Sequence, residues 1–591
     1  MQKEAILHIP LSNYAYGVDE EHVVFRLRTA RGDIKECNFY YGDRAYRMNP
    51  VVFRMEPMRI VASDELFDYF EVEFPSPYQR ICYYFELNDG KETLLYYSNI
   101  FTKDQPSERS EYFQLPFNHR ADIADIPEWV KTAVIYNIFP DSFATDRRYI
   151  SKKSKTASLE YTLPQTEKGS QTTTQNRNGG TIKGITENLD YIEDLGINCI
   201  YINPVFAAGE YHKYDLLDYF QIDPCFGTNE DFKTLVEESH RRNIKVIIDG
   251  VFNHCSWHFF AFDDVVKNGE ASRYKDWFYQ LEFPVVRPDN PDDIPNYYCF
   301  AYERKMPKMN TCNHEVKDYF LKVCRYWLEE YDIDGWRLDV ANEIDYGFWR
   351  EFRNAAKSVK PDCFIIGEVW ESAQPWLRGD MFDSTMNYDF RKNCRDFFAL
   401  GKLDAAEFDG RVTDMRMRYT KNITLGQLNL LDSHDVSRFL SLCSGDKNKF
   451  KLSAVFQMTF MGIPSVFYGD EKCIQGVAEH EYRHPMVWED QKDNDILDFY
   501  KKLIKFRRNT PVLQTGEYKT LEAQPGTGLY VFQRYNREEQ VVVALNVSDK
   551  ITELPGAFTA HNAEVALAEG FDGSSKLEPW GFAILCGKSS K

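Results

Sequence analysis

The chain has 591 residues, too many for one ordinary hydrophobic core, and a prior of roughly 150 residues per domain predicts three or four units. Its 71 Lys plus Arg face 91 Asp plus Glu, a formal net charge of −20 that argues against nucleic acid or an anionic membrane as partner. A neutral substrate fits better, and an aromatic content of 15% leaves rings to spare, beyond the core, for flat sugar faces.

Met1 to His8 reach acidic and polar residues before any apolar run long enough for a secretory signal, and no later stretch suits a membrane span. The 13 cysteines scatter from Cys37 to Cys586 without C-x-x-C spacing, which reads as reduced, mostly buried thiols in a cytoplasmic protein. Residues 1–125 carry short alternating apolar runs, such as Val23 to Leu27 and Ile81 to Phe85, broken by Gly and Asp turns; this predicts an N-terminal β-sandwich. A linker rich in Pro, Asp and Glu closes near Trp129.

Residues 126–510 change pattern. Apolar strands alternate with amphipathic helices, beginning at Ala133 to Pro140 and continuing at Asn198 to Asn203, Ile244 to Asp249, Gly335 to Asp339 and Cys363 to Glu368. Phe382 to Met386, Gln427 to Leu431 and Ser465 to Tyr468 complete eight, with helices expected at Asn229 to Arg241, Val316 to Tyr331 and Asp495 to Arg508. The fold class is therefore α/β, a closed (β/α)8 TIM barrel. Residues 146–178, rich in Ser, Thr, Lys and Gln, read as a mobile surface loop, and residues 250–312 as an inserted subdomain after strand three. Strand-like runs resume at Leu529 to Phe532 and Val541 to Leu545, so residues 511–591 are expected to form a C-terminal β-sandwich domain.

The chemistry-bearing residues fall at the C-terminal ends of these strands, where such barrels keep their active sites. Asp249 to His254 closes strand three, Gly335 to Asp339 strand four, Gly367 to Trp370 strand five and Leu431 to Asp435 strand seven. Glycoside hydrolysis needs two carboxyl groups flanking one bond, and Asp339 and Glu368 sit on neighbouring strands, which predicts net retention with carboxyls about 5 Å apart. Arg337, two residues before Asp339 on the same face, is expected to keep that nucleophile ionised and lower its pKa. Glu368 has to start protonated, raised by burial near Asp339 and Trp370. Asp249 reads as structural, and His254 with His258 lacks a third ligand for zinc.

These four segments resemble the signature regions of the α-amylase superfamily of glycoside hydrolases, and the likeness covers about residues 131 to 510. It implies Asp339 as nucleophile, Glu368 as acid/base and Asp435 as transition-state stabiliser, with His254, Arg337 and His434 on the sugar beside the cleavage point. Val340 to Glu343, Met306 to Asn310 and His212 to Asp215 resemble the cyclomaltodextrinases, neopullulanases and maltogenic amylases. On that resemblance Tyr214 stacks on the sugar at the reacting subsite, Trp370 and Trp376 offer stacking platforms on the product side near Asn342 and Glu343, and Arg438 joins the sugar-binding set. The implied activity is retaining hydrolysis of α-1,4-glucosidic bonds in cyclodextrins, maltooligosaccharides, starch or pullulan to maltose, panose or glucose, with or without transglycosylation. The group's N-terminal β-domain caps a partner subunit, which implies a homodimer.

The chain also departs from the pattern. Where relatives bind calcium it has Asp146-Arg147-Arg148 and Gly179-Gly180-Thr181, so the calcium site is expected to be absent and no cofactor is required. Glu371 stands where a histidine is usual, and Gly476 to His480 replaces a Gly-Gly-Asn-Asp-Pro-like loop. The competing readings are a glucanotransferase, an α-1,6-specific pullulanase, or a silent α-glucan-binding subunit.

Overall fold

The computed structural model describes residues 1–589 apart from 49, 107, 147–160, 163–172, 175–176, 291, 489–494 and 557–563. Most of the loop expected over 146–178 lies outside the described residues, as do Arg147 and Arg148, which carried the argument against calcium.

At the N-terminus two antiparallel sheets face each other. One runs, in spatial order, through Ala15–Gly17, His22–Ala30, Phe67–Pro75 and Arg59–Ser63; the other is centred on Glu36–Asp43 and Ile81–Asn88. Phe25 and Phe39, one from each sheet, stack at 4.3 Å in the core between them. Strand His22–Ala30 is buried on its outer face too, because that face lies against the barrel: Arg26 Nη1 donates to Tyr419 O over 2.8 Å. Asn13 and Asn422 add side-chain hydrogen bonds across the same joint.

The barrel closes from eight parallel strands: β1 (Ile135–Ile138), β2 (Cys199–Ile202), β3 (Lys245–Gly250), β4 (Gly335–Leu338), β5 (Phe364–Gly367), β6 (Ser384–Asn387), β7 (Leu428–Leu430) and β8 (Ile463–Phe467). Nearly every residue in them is buried, as parallel strands covered by helices require. The three expected helices form at Asn229–Arg241, His314–Tyr331 and Asp495–Arg508. The first begins at a capping box, Thr228 with Asp231, and the second at the Asn313 side chain. Between β3 and His314 the inserted segment carries the helix Phe260–Asn268 and is tied to the barrel mouth by an antiparallel bridge of His254 with Lys308.

The register of β3 to β5 sets the site. Leu338 pairs with Gly250 on one side and Gly367 on the other, and the ladder continues one step past the strands: Asp339 N donates to Gly250 O, and Glu368 N to Leu338 O, each over 2.9 Å. Asp339 and Glu368 thus leave adjacent strands at neighbouring levels of one rim.

The C-terminal strands Glu517–Ala523, Leu529–Tyr535, Glu539–Asn546, Thr552–Glu553, Glu564–Phe571 and Lys576–Lys588 form one hydrogen-bonded antiparallel sheet. Alternate residues divide its faces: Tyr530, Phe532, Val541 and Val543 join the barrel core, while Val531, Val542 and Ala544 build a small core of their own. Two fully buried arginines lock this joint. Arg507 donates to the carbonyls of Met458, Phe460 and Gly462, and Arg534 to those of Thr459, Leu513 and Gly516. Burial pushes both guanidinium groups down to about 9.

Candidate active site

At the C-terminal rim a cleft of about 450 Å³ opens between the strand ends and the inserted segment. Its floor is built around Arg337, fully buried on β4. Nη1 of that guanidinium reaches Asp339 Oδ1 at 2.9 Å and both oxygens of Asp249 at 2.9 and 3.1 Å. Nη2 lies 2.7 Å from Glu368 Oε1 and 3.9 Å from Asp435 Oδ2. One cation therefore touches the carboxyls of β3, β4 and β5 and faces that of β7.

Glu368 is held from two more directions: the Val340 amide donates to Oε2 over 2.9 Å and the Trp370 indole to Oε1 over 3.3 Å. To aim that amide, Val340 adopts φ 45°, ψ 44°, a left-handed conformation that costs a β-branched residue on the order of 1–2 kcal/mol. His434 is fixed by Asn203, whose amide nitrogen lies 2.9 Å from Nδ1, and its Nε2 lies 2.9 Å from Asp435 Oδ2. Tyr214 stacks on His434, hydrogen bonds with its Nε2, and donates to Asp249 over 3.0 Å. Asp249 also accepts from Tyr201 over 2.8 Å.

The electrostatics correct one expectation. Burial first, and then the neighbouring charge of Glu368, push the Asp339 carboxyl well above the ordinary range and outweigh Arg337. Burial likewise raises Glu368 against the pull of Arg337. Arg337 does pull Asp339 down, but burial, the larger effect, outweighs it. Two coupled carboxyls facing one volume titrate together rather than one by one. Asp435 behaves oppositely. Burial pushes it up, but the charge of His434, and then those of Arg337 and Arg483, hold it well below the ordinary carboxylate range.

Tyr214, His254, Asn342, Glu343 and Trp370 line the cleft with Asp339, Glu368 and Asp435, while Arg337 and His434 lie beneath it. His254 stacks on Phe300 at 5.1 Å, and burial takes its imidazole down to about 3, so it is neutral. Trp370 is 49% exposed and lies flat on Tyr388, ring centres 3.8 Å apart, with its other face open. Glu343 pairs with Lys308 at 3.2 Å, and Asn342 donates to Glu371 over 2.9 Å.

Two candidates are not brought to the cleft. Trp376 is 7% exposed, its ring edge against Tyr346, because the loop after β5 folds it into the core. Arg438 is fully buried behind β7 and β8, donating to Tyr468 O and Asp470 and lying over the Phe467 ring. Sequence reasoning missed Arg483, which donates to His434 O over 2.8 Å and sits 3.4 Å from Asp435 Oδ1. Its four-residue spacing from Glu479, with which it forms an ion pair at 2.6 Å, was the available signal. Among the described residues no three His, Cys, Asp or Glu side chains converge as a metal site.

Comparison with known proteins agrees with this architecture. Residues 137–498 match the model of the α-amylase catalytic domain, and residues 1–119 that of the α-amylase N-terminal Ig-like domain. A cyclomaltodextrinase of Geobacillus thermopakistaniensis (strain MAS1) is 42% identical across 100% of both chains. Neopullulanase 2 of Thermoactinomyces vulgaris is 41% identical over 92% of this chain and 91% of its own. A solved cyclomaltodextrinase structure superposes with a TM-score of 0.90 at 37% identity, covering 100% of both chains. The chain belongs to the α-amylase family of glycoside hydrolases.

Proposed function

We propose that the chain hydrolyses α-1,4-glucosidic bonds of cyclodextrins, maltooligosaccharides, starch or pullulan with retention of configuration. The observation that carries this reading is one guanidinium, Arg337, in contact with both Asp339 and Glu368 at the ends of adjacent strands over a cleft. Protonated Glu368 gives its proton to the glycosidic oxygen as the bond to the anomeric carbon breaks, and ionised Asp339 attacks that carbon from the opposite face. Glu368, now a carboxylate, then takes a proton from water as the water displaces Asp339, which restores both groups and the original configuration. Asp435, ionised throughout, faces the positive charge that builds on the sugar ring in both steps. A saccharide hydroxyl in place of that water gives transglycosylation.

The named relatives support the substrate class, and Trp370, Asn342, Glu343 and Tyr214 are positioned to bind sugar around the cut. No cofactor enters these steps, and we assign none. No helix among the described residues is long and apolar enough to cross a membrane. The cytoplasm remains the compartment we assign, from buried thiols such as Cys37, Cys199, Cys324 and Cys394. Exposed Met48, Val52 and Met55 on the N-terminal domain support its role as the homodimer surface. Proton NMR of the first products on β-cyclodextrin, maltotriose and pullulan tests the reaction: α-anomers are expected, and initial β-anomers would refute retention. Sedimentation at micromolar concentration tests the dimer, which a monomer would refute.

A further inference from the structure

Far from the cleft, the N-terminal domain, the barrel and the C-terminal sheet meet around a cavity of about 140 Å³. In a chain carrying 20 excess negative charges, this junction is positive. Arg26, Arg59, Arg416, Lys421 and Lys519 line it, against Glu71 and Glu517. Two of the cations are spoken for: Arg26 pairs with Glu71 at 2.5 Å, and Lys421 with Glu71 at 3.2 Å, Glu517 at 3.0 Å and also Glu73.

Arg416 differs. It is 7% exposed, its Nη2 makes a long 3.4 Å hydrogen bond to Tyr518 O, and its buried Nε has no hydrogen-bond partner among the described residues. Its guanidinium rests over the Tyr518 ring at 4.4 Å. Asp409, in its field, accepts instead from the Thr520 and Tyr530 hydroxyls. A buried guanidinium left without a carboxylate is costly unless an anion completes it. Arg59 and Lys519, both exposed, form the cavity's outer rim. The volume suits one tetrahedral group, and arginine forks match the oxygens of a phosphate.

We infer that this three-domain junction binds a phosphate dianion, free or as the terminal group of a phosphosugar whose sugar projects past Arg59 and Lys519. Because each domain supplies a cation, the bound anion cross-links all three.

The test is thermal unfolding of the full chain in sodium phosphate, glucose 6-phosphate or glucose, each at ionic strength matched with sodium chloride. A saturable rise in Tm of at least about 2 °C is expected with phosphate or its ester and none with glucose beyond a chloride control. An ester that outdoes phosphate identifies the phosphosugar as the ligand, and equal effects identify the free ion. Arg416→Gln should abolish the rise. Should that variant unfold, the rim double variant Arg59→Ala/Lys519→Ala should weaken the response at least tenfold in half-saturating concentration while hydrolysis is unchanged. No rise beyond the chloride control in the native chain, or a full rise in the variants, overturns the inference.

Discussion

Two nests of carboxylates around an arginine, both among the described residues of the barrel, differ in what completes them. Around Arg337, Asp339 and Glu368 each keep a side turned to an open cleft. Behind β7 and β8, Arg438 pairs with Asp470 at 3.1 Å, and Glu471 accepts from the Tyr136 and Tyr191 hydroxyls at 2.8 and 2.7 Å and from the Gly469 amide at 3.0 Å. Burial raises Asp470 and Glu471 as it raises Asp339. A shifted carboxyl therefore does not distinguish a working site from a structural one; what distinguishes them is whether protein groups or a cavity receive the remaining lone pairs.

Substitution should separate the two nests. Asp339→Asn and Glu368→Gln are each expected to lower kcat by a factor on the order of 10⁴ with the fold intact, read by product release and thermal melting. Near-normal turnover in either would undo the distinction. In the second nest, Glu471→Met strands two tyrosine hydroxyls and should cost about 3 kcal/mol in denaturant unfolding while specific activity at low temperature holds.

A pH series sharpens the contrast inside the catalytic nest itself. Asp339 has a raised folded pKa, so its contribution to stability is present in acid and lost as pH rises through that value; the Tm of Asp339→Asn should gain on the native chain as pH rises out of the acid range. Asp435 has a depressed folded pKa, so its contribution is present at neutral pH and lost as pH falls through that value. Asp435→Asn should therefore melt below the native chain at neutral pH, with the gap closing in acid. Like signs in the two variants would contradict the assignment. The smallest effect belongs to Trp370: Ala there should raise KM by about three- to tenfold, whereas Phe, which keeps a ring on Tyr388, should raise it less.

Much of this was legible in sequence because β3, β4 and β5 are short apolar runs ending in a single acid, and one residue of register fixes which side chains share a rim. The inserted segment and the three helices were likewise marked by length, caps and apolar spacing. Loop paths were not legible. Nothing local to Trp370 and Trp376 says which ring faces a cleft, and Arg438, three residues after Asp435, turns the other way because Asp470 and Tyr468 O draw it behind the strands. Arg483 reaches Asp435 from a segment 48 residues away. The Asp339 shift was misjudged for the same reason: Arg337 is near in sequence, while Glu368 and the burial come from other strands.

Val340 shows what such a site asks of a backbone. A glycine there would relax the left-handed turn, and a screen for heat resistance would favour it. What that exchange would surrender is the fixed direction of one N–H toward Glu368, and with it the pose from which the acid delivers its proton. Thermal robustness and catalytic aim are thus set against each other at a single residue.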